Sequence, residues 1–200
     1  WLGSFASVGA TQLQTMGQGW LVYELTGSAL MLGYLGAATA IPAITMTLFG
    51  GALADQLNKK MVLMTTSFTV AFLLVILAVL DATSLAAAWH VILIAGLISF
   101  VSGFDWPTRQ AMFPLLIERE DMMSAVALNS IIWQSTRMMM PAFGGIIIAF
   151  TDTWVIFSLC ACGFTIMFIV ISGLKVNLPS YTQVSASTFQ KIAEGFSFIY

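Results

Sequence analysis

The chain has 200 residues, of which 59% are apolar and only 8% charged, with a formal net charge of −2. Seven Lys and Arg and nine Asp and Glu are too few to cover a soluble globule, in which about a quarter of residues are charged. The composition excludes a soluble domain, the charge balance gives no reason to expect a nucleic-acid partner, and the long apolar runs read as an all-α integral membrane protein.

Six runs reach about 20 residues, the length that crosses a hydrocarbon core of about 30 Å. They fall at 2–23, 29–54, 61–80, 86–104, 123–150 and 154–174. The first lacks a basic start and carries Gln12, so it reads as a span and not as a signal peptide. Its Thr11, Gln14, Thr15 and Gln18 recur at helical spacing, offering hydroxyls and amides to a polar solute. The second run ends in GGALADQLNKK (50–60). There Gly50 and Gly51 permit close helix approach, Asp55 sits at the membrane exit, Asn58 tolerates a left-handed turn, and Lys59 and Lys60 face the anionic leaflet. A tight interfacial turn explains the lysines but not the acid beside the glycine pair.

The fourth run begins near His90, which has no neighbouring ligand set and reads as a boundary residue. It ends at DWPTRQAMFPLLIERED (105–121), where Asp105 and Arg109 flank Pro107. Asp105 can pair with Lys59, Lys60 or Arg109; the plainer reading is a solvated pair worth less than about 1 kcal/mol. The fifth run holds Arg137 near its middle. A charge at the bilayer centre costs about 2.5–3.5 kcal/mol on insertion scales. At 100° per residue, Ser130, Trp133, Gln134, Arg137, Pro141 and Gly144 fall on one face, while Leu128, Ile131, Ile132, Met139 and Phe143 fall on the other. The polar stripe fits a cavity-lining helix; an arginine bonded to backbone carbonyls at a helix break is the structural alternative. Met138, Met139 and Met140 read as adaptable packing. In the sixth run Cys160 and Cys162 point about 200° apart, so they cannot share a metal. No cofactor or metal site is implied.

Lys59 and Lys60 lie in the second break, Arg109 and Arg119 in the fourth, and Lys175 and Lys191 in the tail; the odd breaks hold Glu24, Asp81 and Asp152 and no Lys or Arg. By the positive-inside rule the even breaks and both ends of the chain are cytoplasmic. A chain that begins at Trp1 inside an apolar run and stops at Tyr200 in TFQKIAEGFSFIY reads as part of a larger protein. None of the six runs has a mid-span carboxylate, so a coupling proton would need Glu24 or a group outside these spans.

GGALADQLNKK resembles the loop motif of the major facilitator superfamily, Gly-x-x-x-Asp-(Arg/Lys)-x-Gly-(Arg/Lys)-(Arg/Lys). Gly51, Asp55, Lys59 and Lys60 match it, with Gln56 where a basic residue is usual and Asn58 where glycine is usual. YELTGSALMLG (23–33), DWPTRQAMFPLL (105–116) and ALNSIIWQSTRMMMPAFGG (127–145) are similar to the branch that includes enterobactin exporters. MPAFGG (140–145) resembles the fifth-helix antiporter motif Gly-Pro-x-x-Gly-Gly; Pro141, Gly144 and Gly145 match as packing positions, and Met140 replaces the first glycine.

The resemblance implies a twelve-helix fold. Residues 1–174 would be its N-terminal six-helix bundle, built as inverted three-plus-three repeats, and 175–200 the start of a cytoplasmic linker. SALMLG from Ser28 and SAVALN from Ser124, each followed by a proline and a glycine pair, agree with such a repeat. The resemblance further implies a multi-pass protein of the bacterial inner membrane that exports a small molecule, siderophore-like or drug-like, by proton antiport and alternating access. Its partners would be that solute, the bilayer and a C-terminal six-helix half. Asp55 would latch to the opposite half, with Gly51, Lys59, Lys60, Asp105 and Arg109 forming the cytoplasmic gate. A membrane enzyme would need nucleophiles or ligand sets such as HExxH or GxSxG, which the sequence lacks. A non-transporting scaffold or receptor on a transporter fold is the alternative.

Overall fold

A computed structural model describes residues 2–54, 58–112, 117 and 119–173. Six helices follow in order: α1 (Leu2–Thr26), α2 (Ala29–Ala54), α3 (Lys59–Ala82), α4 (Ala88–Met112), α5 (Met122–Phe150) and α6 (Thr153–Gly173), with one 3-10 turn at Arg119–Asp121. There is no strand among the described residues. The shortest helix, α6, has 21 residues, which at 1.5 Å per residue spans about 30 Å, the thickness of the hydrocarbon core.

Among the described residues four segments are both long and apolar enough to cross a membrane: Ala29–Met46, Lys59–Ala82, Ala88–Met112 and Thr153–Gly173. The other two helices, α1 and α5, are no shorter, at 25 and 29 residues. They miss the criterion because they carry the polar side chains: Thr11, Gln12, Gln14, Thr15 and Gln18 on one, Ser130, Gln134, Ser135, Thr136 and Arg137 on the other.

The turns follow from local chemistry. Gly27 adopts a left-handed φ of 60° and its N–H reaches Tyr23 O at 2.7 Å, closing α1 as a single-glycine cap. Asn58 does not use the left-handed turn expected of it. It is extended, at φ −65° and ψ 106°, and its side chain accepts from the backbone N–H groups of Lys60 and Met61. Capping two otherwise orphaned donors at the start of α3 outweighs the left-handed alternative.

A second departure bears on function. Helix α4 does not stop at residue 104 but runs through Asp105, Pro107 and Arg109 to Met112. Pro107 removes one backbone donor, yet Thr108 Oγ1 donates to Phe104 O at 2.6 Å and helps hold the turn together. Asp105 and Arg109 are therefore one helical turn apart on a continuous helix, not on a loop.

The helices alternate strictly up and down. The starts of α1 and α3 meet the end of α4 through Ser7, Thr66, Asp105 and Arg109. The start of α3 meets the end of α6 where Lys60 Nζ donates to Ser172 O at 3.0 Å. The end of α3 meets the start of α6 where Thr153 donates to Asp81. The main packing pairs are α2 with α4, α3 with α6, α1 with α6, α3 with α4, and α1 with α5. Exchanging α1–α3 for α4–α6 preserves this pattern: α3 with α6 maps on itself, α1 with α6 maps on α4 with α3, and α2 with α4 maps on α5 with α1. With the alternating directions, that is the relation of an inverted repeat.

The core lies among α1, α3, α4 and α6, where Val22, Leu74, Leu77, Val91, Ile156, Phe157 and Cys160 are fully buried. Small residues set the helix spacing, as expected when packing rather than hydrophobicity holds membrane helices together. A side chain at Gly163 would meet Ala6 O at 2.9 Å and Ala10 Cβ at 3.0 Å. Outward-facing Phe68, Phe72, Val75, Val79, Leu93, Leu97 and Ile169 are exposed, an apolar surface suited to acyl chains.

Candidate functional site

At the end of the bundle that gathers the starts of α1, α3 and α5 and the ends of α4 and α6, Arg109 projects from α4 between its neighbours. Its Nε donates to Asp105 Oδ2, and its Nη1 donates to Ser7 Oγ on α1 at 3.1 Å. Thr66 Oγ1 on α3 donates to the other carboxylate oxygen, Asp105 Oδ1, at 3.1 Å. Three helices thus fix one arginine. The two charged side chains are 21% and 20% exposed, and Ser7 and Thr66 are 1% and 6% exposed. The pair is shielded on most sides, so its attraction is less screened than that of the solvated surface pair expected from the sequence.

Two adjoining cavities open around this arginine. The larger, about 350 Å³, is walled by Val8, Leu63, Met112 and Met167 with Trp106 and Trp133, and carries Gln110 and Asn129 as polar groups. The smaller, about 180 Å³, is rich in hydroxyls: Ser7, Thr11, Thr66, Ser67 and Ser102. Val8, Trp106, Arg109 and Trp133 line both. The two indoles stand edge to face at 5.2 Å and 86°, a favourable aromatic geometry that ties α5 to α4. Ser67 Oγ is buried and has no hydrogen-bond partner.

The residues expected at a site are divided by the structure. Asp105 and Arg109 come together with each other and not with Lys60, whose ammonium caps α6. Lys59 and Lys60 head α3 at the same end of the bundle. Gly51 lies within α2, and Asp55 lies outside the described residues, as do Lys175 and Lys191. Trp133 turns into the cavities, whereas Ser130, Gln134, Arg137 and Pro141 form an exposed strip beside it. Ser130 Oγ donates within its own helix to Val126 O at 2.9 Å.

On α1 the expected stripe splits. Thr11 lines the smaller cavity, while Gln14 and Gln18 are buried at 6% and 3% exposure, and Gln18 Nε2 has no partner. Gly144 is a packing position, its Cα facing Leu13 and Met16 of α1, with Gly145 just beyond. Among the described residues no cluster of His, Cys, Asp and Glu could hold a metal. Sequence reasoning missed Ser7, Thr66, Ser67 and Trp106, because an isolated hydroxyl or indole in an apolar run carries no periodic signal of its own.

All four described Lys and Arg outside the centre of α5 (Lys59, Lys60, Arg109 and Arg119) sit at the cavity end, and Glu24, Asp81 and Asp152 sit at the other. Acids lie at both ends, since Asp105, Glu120 and Asp121 share the cavity end, but an apolar six-helix bundle with its cations gathered around an arginine-centred cavity has the makings of a solute pathway. Across residues 1–200 the chain matches the major facilitator family described as "Transmembrane secretion effector". The chain belongs to that family. It is 30% identical over 135 residues to the Staphyloferrin A transporter of Staphylococcus aureus, covering 67% of this chain and 34% of that protein. It is 24% identical over 184 residues to the uncharacterized MFS-type transporter YfiS of Bacillus subtilis, covering 88% of this chain and 42% of that protein. The match thus spans less than half the length of these relatives. No solved structure matches it. This family and both relatives are transporters, not enzymes.

Proposed function

We propose that the chain is the N-terminal six-helix half of a secondary active transporter in the bacterial plasma membrane. It exports a small siderophore-like or drug-like molecule by alternating access, driven by proton antiport. The observation that carries this reading is the Arg109 cavity, which lies within the bundle at the end where the lysines and arginines gather. By the positive-inside rule that end is cytoplasmic, and a cavity there is where an exported solute would be taken up. The match of residues 1–200 to a secretion family and the resemblance to a siderophore transporter support the same direction and solute class.

The exposed polar strip of α5, with Gln134 and Arg137, is the face on which a second six-helix half would close the pathway. Asp55, after the glycine pair of α2, is the latch between the halves. The experiment is accumulation of a catecholate siderophore and of a cationic dye in everted vesicles containing the full-length protein. Accumulation should depend on an imposed proton gradient and collapse with nigericin, and Asp55→Asn should slow it while leaving insertion intact. If neither probe accumulates with the gradient present, the transporter reading fails.

A further inference from the structure

We propose that the Arg109 cavity binds a carboxylate carried on a flat, apolar body, with Arg109 as the anchor, Ser67 as a second oxygen ligand and Trp106 and Trp133 as the walls. The biological use of this site rests on the transport reading, but its chemistry can be read from the side chains alone. A guanidinium has five N–H donors. Here Nε is taken by Asp105 and one hydrogen of Nη1 by Ser7. The remaining Nη1 hydrogen and both on Nη2 have no partner among the described residues, and Arg109 lines both cavities. The Nη1–Nη2 edge is a fork that matches the two oxygens of a carboxylate. Asp105 and Ser7 hold that fork in place, so less side-chain freedom is lost on binding.

Ser67 is the independent observation. It is 1% exposed, its Oγ has no partner, and it lines the smaller cavity beside Arg109. Buried hydroxyls are nearly always satisfied, and a ligand oxygen held by Arg109 would satisfy this one. A cationic ligand is disfavoured, because Asp105, the one carboxylate among the described residues lining either cavity, is already neutralised by Arg109 and bonded by Thr66. A phosphate dianion would bring a second charge, and among the described residues the linings hold no second cation. The body of the ligand is set by the larger cavity, whose volume of about 350 Å³ lies in the range of small-molecule sites. Its crossed indoles and apolar side chains suit an aromatic ring system.

The test measures equilibrium binding of three probes of one shape, 2-naphthoate, 2-naphthamide and 2-naphthylmethylammonium, to the full-length protein in lipid nanodiscs. The carboxylate should bind about 10- to 100-fold more tightly than either of the others. Arg109→Gln alone would leave Asp105 without its counter-charge, so it is paired with Asp105→Asn to keep a neutral hydrogen-bonded couple. The double variant should lose the preference for the carboxylate while binding the amide within about 3-fold of the parent. Ser67→Ala should weaken naphthoate by about 3-fold or more, and Arg109→Lys should do so without restoring the fork. Equal binding of the three probes, or a preference that survives the double variant, would overturn the site. Absence of the preference in the parent protein, with gradient-driven efflux of other solutes intact, overturns this site and leaves the transport reading standing. A firm preference without any gradient-driven flux supports the site and defeats transport.

Discussion

Gly163→Ala tests whether α1 and α6 are in backbone contact. A methyl at this position would lie 2.9 Å from Ala6 O and 3.0 Å from Ala10 Cβ. Neither atom sits at the end of a flexible side chain, so rotamer changes cannot relieve the contact. Reaching a carbon–carbon separation of about 3.5 Å requires the helices to part by about 0.5 Å. A gap of that size forfeits about a quarter of each nearby dispersion contact, and this seam includes the fully buried Ile156, Phe157 and Cys160. It also stretches the Cys160 Sγ to Ala10 O contact, now 3.2 Å. Overpacking of this kind costs about 1–3 kcal/mol, and the higher helix propensity of alanine offsets about 1 kcal/mol. The net loss should be about 0–2 kcal/mol, a fall in melting temperature of up to about 8 °C for a chain of this size. The assay is intrinsic-fluorescence melting of the purified protein in mild detergent. Gly19→Ala is the internal control, since a methyl there meets nothing within 4 Å, and it should be neutral or slightly stabilising. If Gly163→Ala is stabilised as much as the Gly19→Ala control, the close packing argued for α1 and α6 is wrong.

Asp105→Asn should lower stability by about 1–3 kcal/mol, because Arg109 keeps its charge in a shielded site, and Thr66→Ala should cost about 0.5–1.5 kcal/mol; unchanged melting for Asp105→Asn would show the pair to be solvated. Arg137→Ala should leave stability within about 0.5 kcal/mol, since the side chain is exposed and has no partner among the described residues, while lowering efflux at matched expression. Reduced stability with normal efflux would instead make Arg137 structural. With exposed Cys162 first replaced by alanine, cysteines at Ser28 and Thr83 should label with an impermeant maleimide from outside. Those at Asn58 and Glu120 should label only after the membrane is opened, and the reverse pattern would invert the orientation argued from the lysines and arginines. Ser28 is preferred to its neighbour Gly27, whose positive φ would strain any side chain.

The spans were legible because a bilayer leaves the chain little choice: every backbone polar group must be satisfied internally, so each long apolar run becomes a helix. The ends of α2, α5 and α6 accordingly fall within about two residues of the apolar runs. Helices α1 and α5 were legible as helices despite their polar residues, whose helical period suggested one face on each, although on α1 that stripe divides between the smaller cavity and the buried core. The failure is confined to α4. Asp, Pro and Arg within five positions (105–109) carry the composition of a loop, yet Thr108 bonds back to Phe104 and the helix runs another eight residues past Phe104. That boundary decides the site. On a loop, Asp105 and Arg109 would be a wet pair facing the headgroups. On a helix they are a turn apart on one side, facing Thr66 and Ser7, and the arginine enters the bundle. Arg137 stood out because its charge is costly at that depth. Arg109 was discounted because its apparent position made its charge cheap, although it is the arginine that the surrounding hydroxyls hold in place. In a membrane bundle the cost of a charge locates candidates only as well as the helix ends are known. Where proline lies near such an end, the side chains that would satisfy the backbone, here a single threonine hydroxyl, are the better guide to which side of the boundary a charge belongs.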